Sequence, residues 1–299
     1  MPTRLLSLPF NDLEYVFDSM DVSDLIALSL CSKRTEKLAK STNRKIDRHI
    51  VYLDEDQIGF DICEREFQQK TENIYFNVFD TWAELEKGDG IEVRIEKEFT
   101  SSDWIAHFLS IFNESMIPVL EINDISLSYL NTVKQFIPKC RELRIGENCS
   151  NELTRMAFLK LAPISDEVDI ANNSFENDIS QFLSPNLRSL TLFDRETPFK
   201  LTSVDLLAVN TTDLSVYKAN ITEKELNRFL KLWMKGNHTF YRPESIRLTL
   251  EDEEIELNRQ EVFEGVPYQT VGDKLRLKRG DGKELIFYVE ENDIVFEFA

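Results

Sequence analysis

The strongest constraint on this chain is a short apolar-x-apolar pair that recurs along its middle. It appears as Leu120 and Ile122, Leu143 and Ile145, Val168 and Ile170, Leu190 and Leu192, Leu214 and Val216, and Ile246 and Leu248, at spacings of 23, 25, 22, 24 and 32 residues. A polar turn follows each pair, often with an Asn or Asp. The first four spacings lie within the range of about 20 to 29 residues expected of an array with one strand and one helix per repeat. Val93 and Ile95 form an earlier pair that would open the series. Segments with helical spacing lie between the pairs: TSSDWIAHFLSIF, LSYLNTVKQFI, SFENDISQFL and TEKELNRFLKLWMKG. In the last, Thr222 and Glu225 have capping-box spacing, Leu226, Phe229, Leu230 and Trp233 share a face, and Gly236 stops the helix. A strand and helix of this length cannot bury their own apolar sides, so they stack. The predicted fold class is α/β, or α+β overall, with the strands and helices in a degenerate leucine-rich-repeat-like curved solenoid; the alternative is a general α/β domain whose strands alternate with helices.

The N-terminal stretch LPFNDLEYVFDSMDVSDLIALSLCSKRTEKL follows another rule. Pro9 suits the first turn of a helix, and Leu13, Val16, Phe17 and Met20 follow as one apolar stripe. Ser23 is placed to cap a second helix in which Leu25, Ile26, Ala27, Leu28, Leu30 and Cys31 leave almost no polar side. Ser32 starts a third, basic helix, SKRTEKLAKSTNRKIDR. So small a unit holds more apolar surface than it can hide by itself. Either the helices cap the domain that follows, or a partner protein covers them.

The order Leu8-Pro9, Leu13, Val16, Met20-Asp21, Asp24-Leu25 and Leu28-Ser29-Leu30-Cys31-Ser32-Lys33-Arg34 resembles an F-box over about residues 5 to 48. Thr35 departs from it, standing where many F-boxes carry an aromatic residue. The resemblance implies docking on a Skp-family adaptor, and through it on a cullin, in an SCF-type (cullin-RING) ubiquitin ligase. Leu8, Pro9, Leu13, Val16, Leu25, Leu28 and Cys31 would then form or support the apolar docking face. Residues 206–250 are similar to the F-box-associated domain, type 2, of the large nematode F-box family, through Asn227-x-Phe229-Leu230-Lys231-x-Trp233-x-x-Gly236. In that family the associated region is taken to bind the protein selected for ubiquitination. The residues of the signature itself are those of a core-facing helix.

Charge and composition narrow the other functions. The net charge is −19; residues 1–50 carry 8 Lys and Arg against 7 Asp and Glu, so the acidity belongs to the rest of the chain. Nucleic acids and anionic membranes need a positive surface, and neither is expected as a partner. Cys31, Cys63, Cys140 and Cys149 have neither metal-pair nor disulfide-framework spacing and read as thiols of a reducing compartment. Acids interrupt the apolar run that a signal peptide would need, and no segment has the roughly 20 apolar residues of a membrane span. The expected location is cytoplasmic, nuclear or both. Asn113, Asn148, Asn172, Asn210, Asn220 and Asn237 match the glycosylation pattern by chance in such a compartment. His49, His107 and His238 have no metal-ligand spacing, and no phosphate-cradling glycine run or nucleophile elbow occurs. No catalytic residue, metal or cofactor is expected.

The predicted organisation is an F-box over 1–48, a connecting segment over 49–90, a leucine-rich-repeat-like recognition domain over 91–250, and a C-terminal β-hairpin cap over 251–299. In that last stretch, an acidic run from Glu251 to Glu254 precedes alternating strands forming a small sheet, and Arg279–Lys283 reads as a hairpin turn. The expected function is a non-catalytic substrate-recognition subunit, binding the adaptor through the F-box and an unknown target through the repeats. Glu121, Arg144, Asp169, Thr191 and Ser215, which lie between or beside the paired apolar residues, are the candidate target contacts, because alternation turns them outward. The alternative is a leucine-rich-repeat-like interaction scaffold that recruits no ligase.

Overall fold

In the computed structural model the described residues are 7–44, 48–55, 57–65, 71–78, 82–87, 90–96, 99–174, 179–236, 241–250 and 257–299. They divide into two compact units, Met1–Arg141 and Glu142–Ala299. The division falls inside the stretch expected to be one repeat domain.

The first unit opens with α1 (Phe10–Ser19), α2 (Val22–Ser29) and α3 (Lys33–Ser41). Five strands follow, β1 (Arg48–Asp54), β2 (Gln57–Arg65), β3 (Thr71–Val78), β4 (Trp82–Lys87) and β5 (Gly90–Glu96), and then α4 (Ser101–Ile111), β6 (Ile117–Ile122) and α5 (Leu127–Phe136). Strands β1 to β5 form an antiparallel meander, and β6 runs parallel along the other side of β1, with Ile50 opposite Val119 and Leu53 opposite Ile122. The expectation of a connecting segment over 49–90 is therefore corrected, since most of it is strand. Its alternating residues Ile58, Phe60, Ile62 and Ile74, Phe76, Val78 are all buried, the period of a sheet with one covered face. Val93 and Ile95 also change place. They lie on β5, antiparallel to β4, so β1 and not β5 is the strand that pairs in parallel with β6.

An aromatic cluster fixes α4 on this meander. The Phe60 and Phe108 rings stack with centroids 4.0 Å apart, and Phe76 meets Phe108 at 4.9 Å and Trp104 at 5.2 Å. Rings bury large apolar areas and add an orientation preference, so this cluster aligns the helix as well as holding it.

Strand β7 (Cys140–Ile145) lies at the division. The second unit continues with α6 (Asn151–Leu161), β8 (Ser165–Ile170), α7 (Ser180–Leu183), β9 (Ser189–Leu192), β10 (Phe199–Lys200), α8 (Ser203–Ala208), β11 (Asp213–Asn220), α9 (Glu223–Met234) and β12 (Ser245–Leu250). It ends with α10 (Arg259–Val262), β13 (Gln269–Val271), β14 (Lys274–Lys278), β15 (Glu284–Glu290) and β16 (Asp293–Phe298). Strands β8, β9, β11 and β12 are parallel neighbours, and the short β10 pairs with the end of β11. Both members of every recurring pair in this unit are buried, from Leu143 and Ile145 to Ile246 and Leu248.

The Asn and Asp residues after the strands tie one repeat to the next. The Asn172 amide donates to the Cys149 carbonyl at 2.7 Å and to Thr154 Oγ1 at 3.0 Å. Asp194 accepts backbone N–H bonds from Asn173, Glu196 and Thr197. Partial burial pushes the Asp194 carboxyl up, but the three donors together hold it below its ordinary value.

The C-terminal expectation is also corrected. Strand β16 lies antiparallel beside β12, then come β15, β14 and β13, so the tail extends the sheet of this unit and does not build one of its own. The run Glu251–Glu254 lies outside the described residues. Each unit thus holds a sheet of parallel and antiparallel strands, and the fold is mixed α/β behind three N-terminal helices.

Candidate partner-binding sites

The N-terminal helices are placed by their caps. Pro9 sits at the N-cap of α1 and not inside its first turn. Asp21, not Ser23, caps α2: its carboxylate accepts from the Asp24 N–H at 2.8 Å, and the Ser23 hydroxyl donates to the same oxygen at 2.7 Å. Ser32 starts α3 as expected. Its side chain accepts from the Thr35 N–H at 3.2 Å while Thr35 Oγ1 accepts from the Ser32 N–H at 3.0 Å. This reciprocal pair satisfies two donors that a helix start leaves open.

The seven residues expected to form or support the docking face do not share one environment. Leu13 is only 2% exposed and Leu25 0%, packed inside the unit with Phe17, Val22 and Ile26. Leu8, Val16 and Leu28 are half-buried, and Pro9 and Cys31 are exposed. A residue that sequence reasoning missed is Tyr15, 76% exposed on α1. Its aromatic ring in open water was the available signal. Leu13 and Leu25 thus lie beneath the surface of these helices, which among the described residues the other five and Tyr15 reach.

The same helices are anchored from below by α4. Ser29 Oγ and His107 Nε2 share a buried hydrogen bond of 2.8 Å. Helices α3 and α4 each end near an Asn in the left-handed region, Asn43 at φ 49° and Asn113 at φ 54°, and the Asn113 amide donates to Asn43 Oδ1 at 2.9 Å. The cover demanded by the nearly all-apolar α2 is therefore supplied in part by the chain itself.

In the second unit, the conspicuous residues of α9 build structure. Phe229, Leu230 and Trp233 are buried. The Asn227 amide donates to the Val262 carbonyl at 2.8 Å and the Glu264 carbonyl at 2.9 Å, pinning the end of α10. Gly236 lies at φ 68°, and a side chain there would stand 3.3 Å from the guanidinium of Arg279. That guanidinium is buried over the Trp233 ring, 5.2 Å from its centroid, and bonds the Asp281 carboxylate. The capping box expected at Thr222 is half made. Thr222 accepts from the Glu225 N–H, but the Glu225 carboxylate accepts instead from the Ser203 N–H at 2.7 Å, which joins α9 to the start of α8 and holds that carboxyl below its ordinary value.

The outward residues of the parallel strands fall into line. Asp169 stands opposite Thr191, Thr191 opposite Ser215, and Ser215 opposite Arg247, a member of the row that sequence reasoning missed. Arg144 pairs with Glu142 on β7. Burial raises the Asp169 carboxyl above its ordinary value, with Glu142 adding to the rise and a hydrogen bond with Thr191 opposing it. Phe193 and Tyr217 continue the outward alternation of β9 and β11, partly exposed, with ring centroids 5.8 Å apart. Glu121 is not part of this row. It belongs to the first unit, opposite Tyr52 across β1 and β6.

A family model described as the F-box domain matches residues 5–47, and one described as F-box associated matches residues 178–239. The chain carries an F-box domain and an F-box-associated region. No curated protein and no solved structure matches it closely enough to count as a relative. The F-box match spans α1 to α3 and stops just before β1, so the domain ends where helix gives way to strand. The F-box-associated match runs from just ahead of α7 through α9 and holds Thr191, Ser215, Phe193, Tyr217 and the α9 signature. Thr35 of this F-box is buried and completes a cap, which accounts for a small hydroxyl residue at that position. Among the described residues no cluster of His, Cys, Asp and Glu could hold a metal ion, and no helix is long and apolar enough to cross a membrane.

Proposed function

We propose that this F-box protein is a substrate-recognition subunit of an SCF-type ubiquitin ligase, working in the cytoplasm or nucleus. The F-box holds a Skp-family adaptor, and through it a cullin, by burying Leu8, Pro9, Val16, Leu28, Cys31 and Tyr15 over the internal support of Leu13 and Leu25. The strand-and-helix array, read as a leucine-rich-repeat-like surface, presents a target. The chain performs no covalent chemistry. It contributes proximity, turning ubiquitin transfer to a bound target into an effectively intramolecular step. The observation that carries this reading is the pairing of the F-box match with an exposed Tyr15 and half-buried Val16 and Leu28 on α1 and α2, over the buried Leu13 and Leu25.

The outward row Arg144, Asp169, Thr191 and Ser215, with Glu121 in the first unit, is the proposed target-facing set. A second reading, an interaction scaffold whose helices only cap their own domain, draws support from the Ser29–His107 bond and the packing of the module on α4. Co-purification with Skp-family adaptors separates the two. Tyr15→Asp with Leu28→Asp changes side chains outside the packed interior, so the fold should survive by circular dichroism while adaptor capture is lost. A folded parent that captures no adaptor paralogue of its own source leaves the scaffold reading standing.

A further inference from the structure

The second unit ends in a sheet edge, β13, that the other described residues leave open. Among the described residues strand β13 pairs with β14 alone, through Gln269 and Arg276, Thr270 and Leu275, and Val271 and Lys274. All three β13 residues are exposed, Val271 by 56%, and so is the preceding Tyr268. The hairpin closes through Gly272 and Asp273, with Gly272 at the positive φ of 66° that a two-residue turn of this kind needs. In such a ladder Val271 and Lys274 form the hydrogen-bonded closing pair, so the N–H and C=O of Thr270 face away from β14. Edge strands guard themselves with lysine, proline or a bulge; Gln269, Thr270 and Val271 include none of these.

Next to this edge β13 is too short to flank all of β14. Where it stops, a cavity of about 410 Å³ opens on the outward face, lined by Pro267, Tyr268, Gln269, Arg276, Lys278 and Glu284. The charge there is opposite to that of the chain. Residues 267–284 carry five Lys and Arg against three Asp and Glu, a local +2 in a protein of net charge −19. Lys274, Arg276 and Lys278 project from the outward side of β14; among the described residues their carboxylate partners are Glu284 and Glu297, and Lys274 also lies over the Tyr288 ring at 3.8 Å. Three cations on two carboxylates leave one charge to be met from outside, and the Lys278 side chain is 68% exposed.

We propose that the free edge of β13 and the adjoining basic cavity form a docking site for an extended acidic segment of a partner protein, added to the sheet as a further strand. Backbone pairing at Thr270 supplies affinity without reading sequence, and the cavity selects for carboxylates at alternate positions of the added strand. The site deepens the target-binding reading and rests on it for taking the partner to be the ligase's target.

The test uses the full chain and a displayed library of random linear peptides. Enriched peptides should be rich in Asp and Glu. Synthetic, labelled copies should bind about tenfold more weakly to Arg276→Gln with Lys278→Gln, the loss expected from one charge-assisted contact. They should also weaken against Thr270→Pro, which removes an outward N–H that the native ladder does not use. Unchanged circular dichroism shows that both variants fold, and unchanged adaptor capture keeps this result separate from the ligase reading. Enrichment of non-acidic peptides, acidic peptides indifferent to both variants, no enrichment, or self-association through this edge would each overturn the proposal.

Discussion

The two units bury their apolar side chains by different routes. In the first, one helix lies on an antiparallel meander, and four rings, Phe60, Phe76, Trp104 and Phe108, make the contact. In the second, parallel strands alternate with helices, and most strands contribute a pair of aliphatic side chains to a continuous layer. A parallel neighbour requires a crossover connection, which spaces its strands regularly along the sequence. A meander needs only tight turns, so its strands crowd together and leave no long period to detect. The difference in connection explains why one unit announces itself in the sequence and the other does not.

The largest test of this comparison is in the cores. Phe229 is fully buried on α9 and meets Phe296 of β16 at 5.4 Å, so it holds a helix from the repeat stretch against a strand of the tail. Phe229→Ala should cost about 3–5 kcal/mol, read as loss of hydrogen-exchange protection in α9 and β16 together. Protection lost in α9 alone would mean that the tail strands fold without the repeats.

Acid should separate the units next. His49 on β1 is buried beside the Phe112 ring, and its Nε2 has no hydrogen-bond partner. Burial, with a smaller contribution from Arg141, lowers its pKa from 6.5 to about 4. The unfolded chain therefore takes up this proton first, and stability present above pH 6.5 is lost as pH falls toward 4, by up to about 3 kcal/mol. Urea unfolding on either side of that interval should show the loss in the parent and a smaller one in His49→Phe. Equal pH dependence in both would show that His49 stays solvated.

How much of this was legible follows from the same contrast. The pairs at Val168, Leu190, Leu214 and Ile246 declared their strands because parallel strands covered on the helix side keep an apolar period of two and recur at the crossover length. The meander was missed because Ile58, Phe60 and Ile62 alternate with acids and turns in a way that a polar connector imitates. For the F-box, the order of residues gave the helices but not which apolar side chains point inward. Leu13 and Leu25 are buried inside the unit, which local spacing alone does not reveal. The β13 edge was invisible for a related reason. Whether a strand has one neighbour or two depends on topology, and GVPYQTVGDKLRLKR reads the same either way.

The smallest expected effect bears on the outward row. Leu214 and Ser215 are consecutive on β11, one turned to the core and the other standing in line between Thr191 and Arg247. Leu214→Ala should cost about 2–5 kcal/mol, since it empties part of a packed layer. Ser215→Glu adds a charge opposite Arg247 at a half-buried position, and should change stability by no more than about 0.5 kcal/mol. Thermal unfolding of the two variants compares the faces of one strand directly. A near-neutral Ser215→Glu leaves the row free to be read by another molecule, which is what a recognition surface requires. A cost near that of Leu214→Ala would mean that the row is already covered within the folded chain, and target contacts would have to be sought at the edges of the sheet.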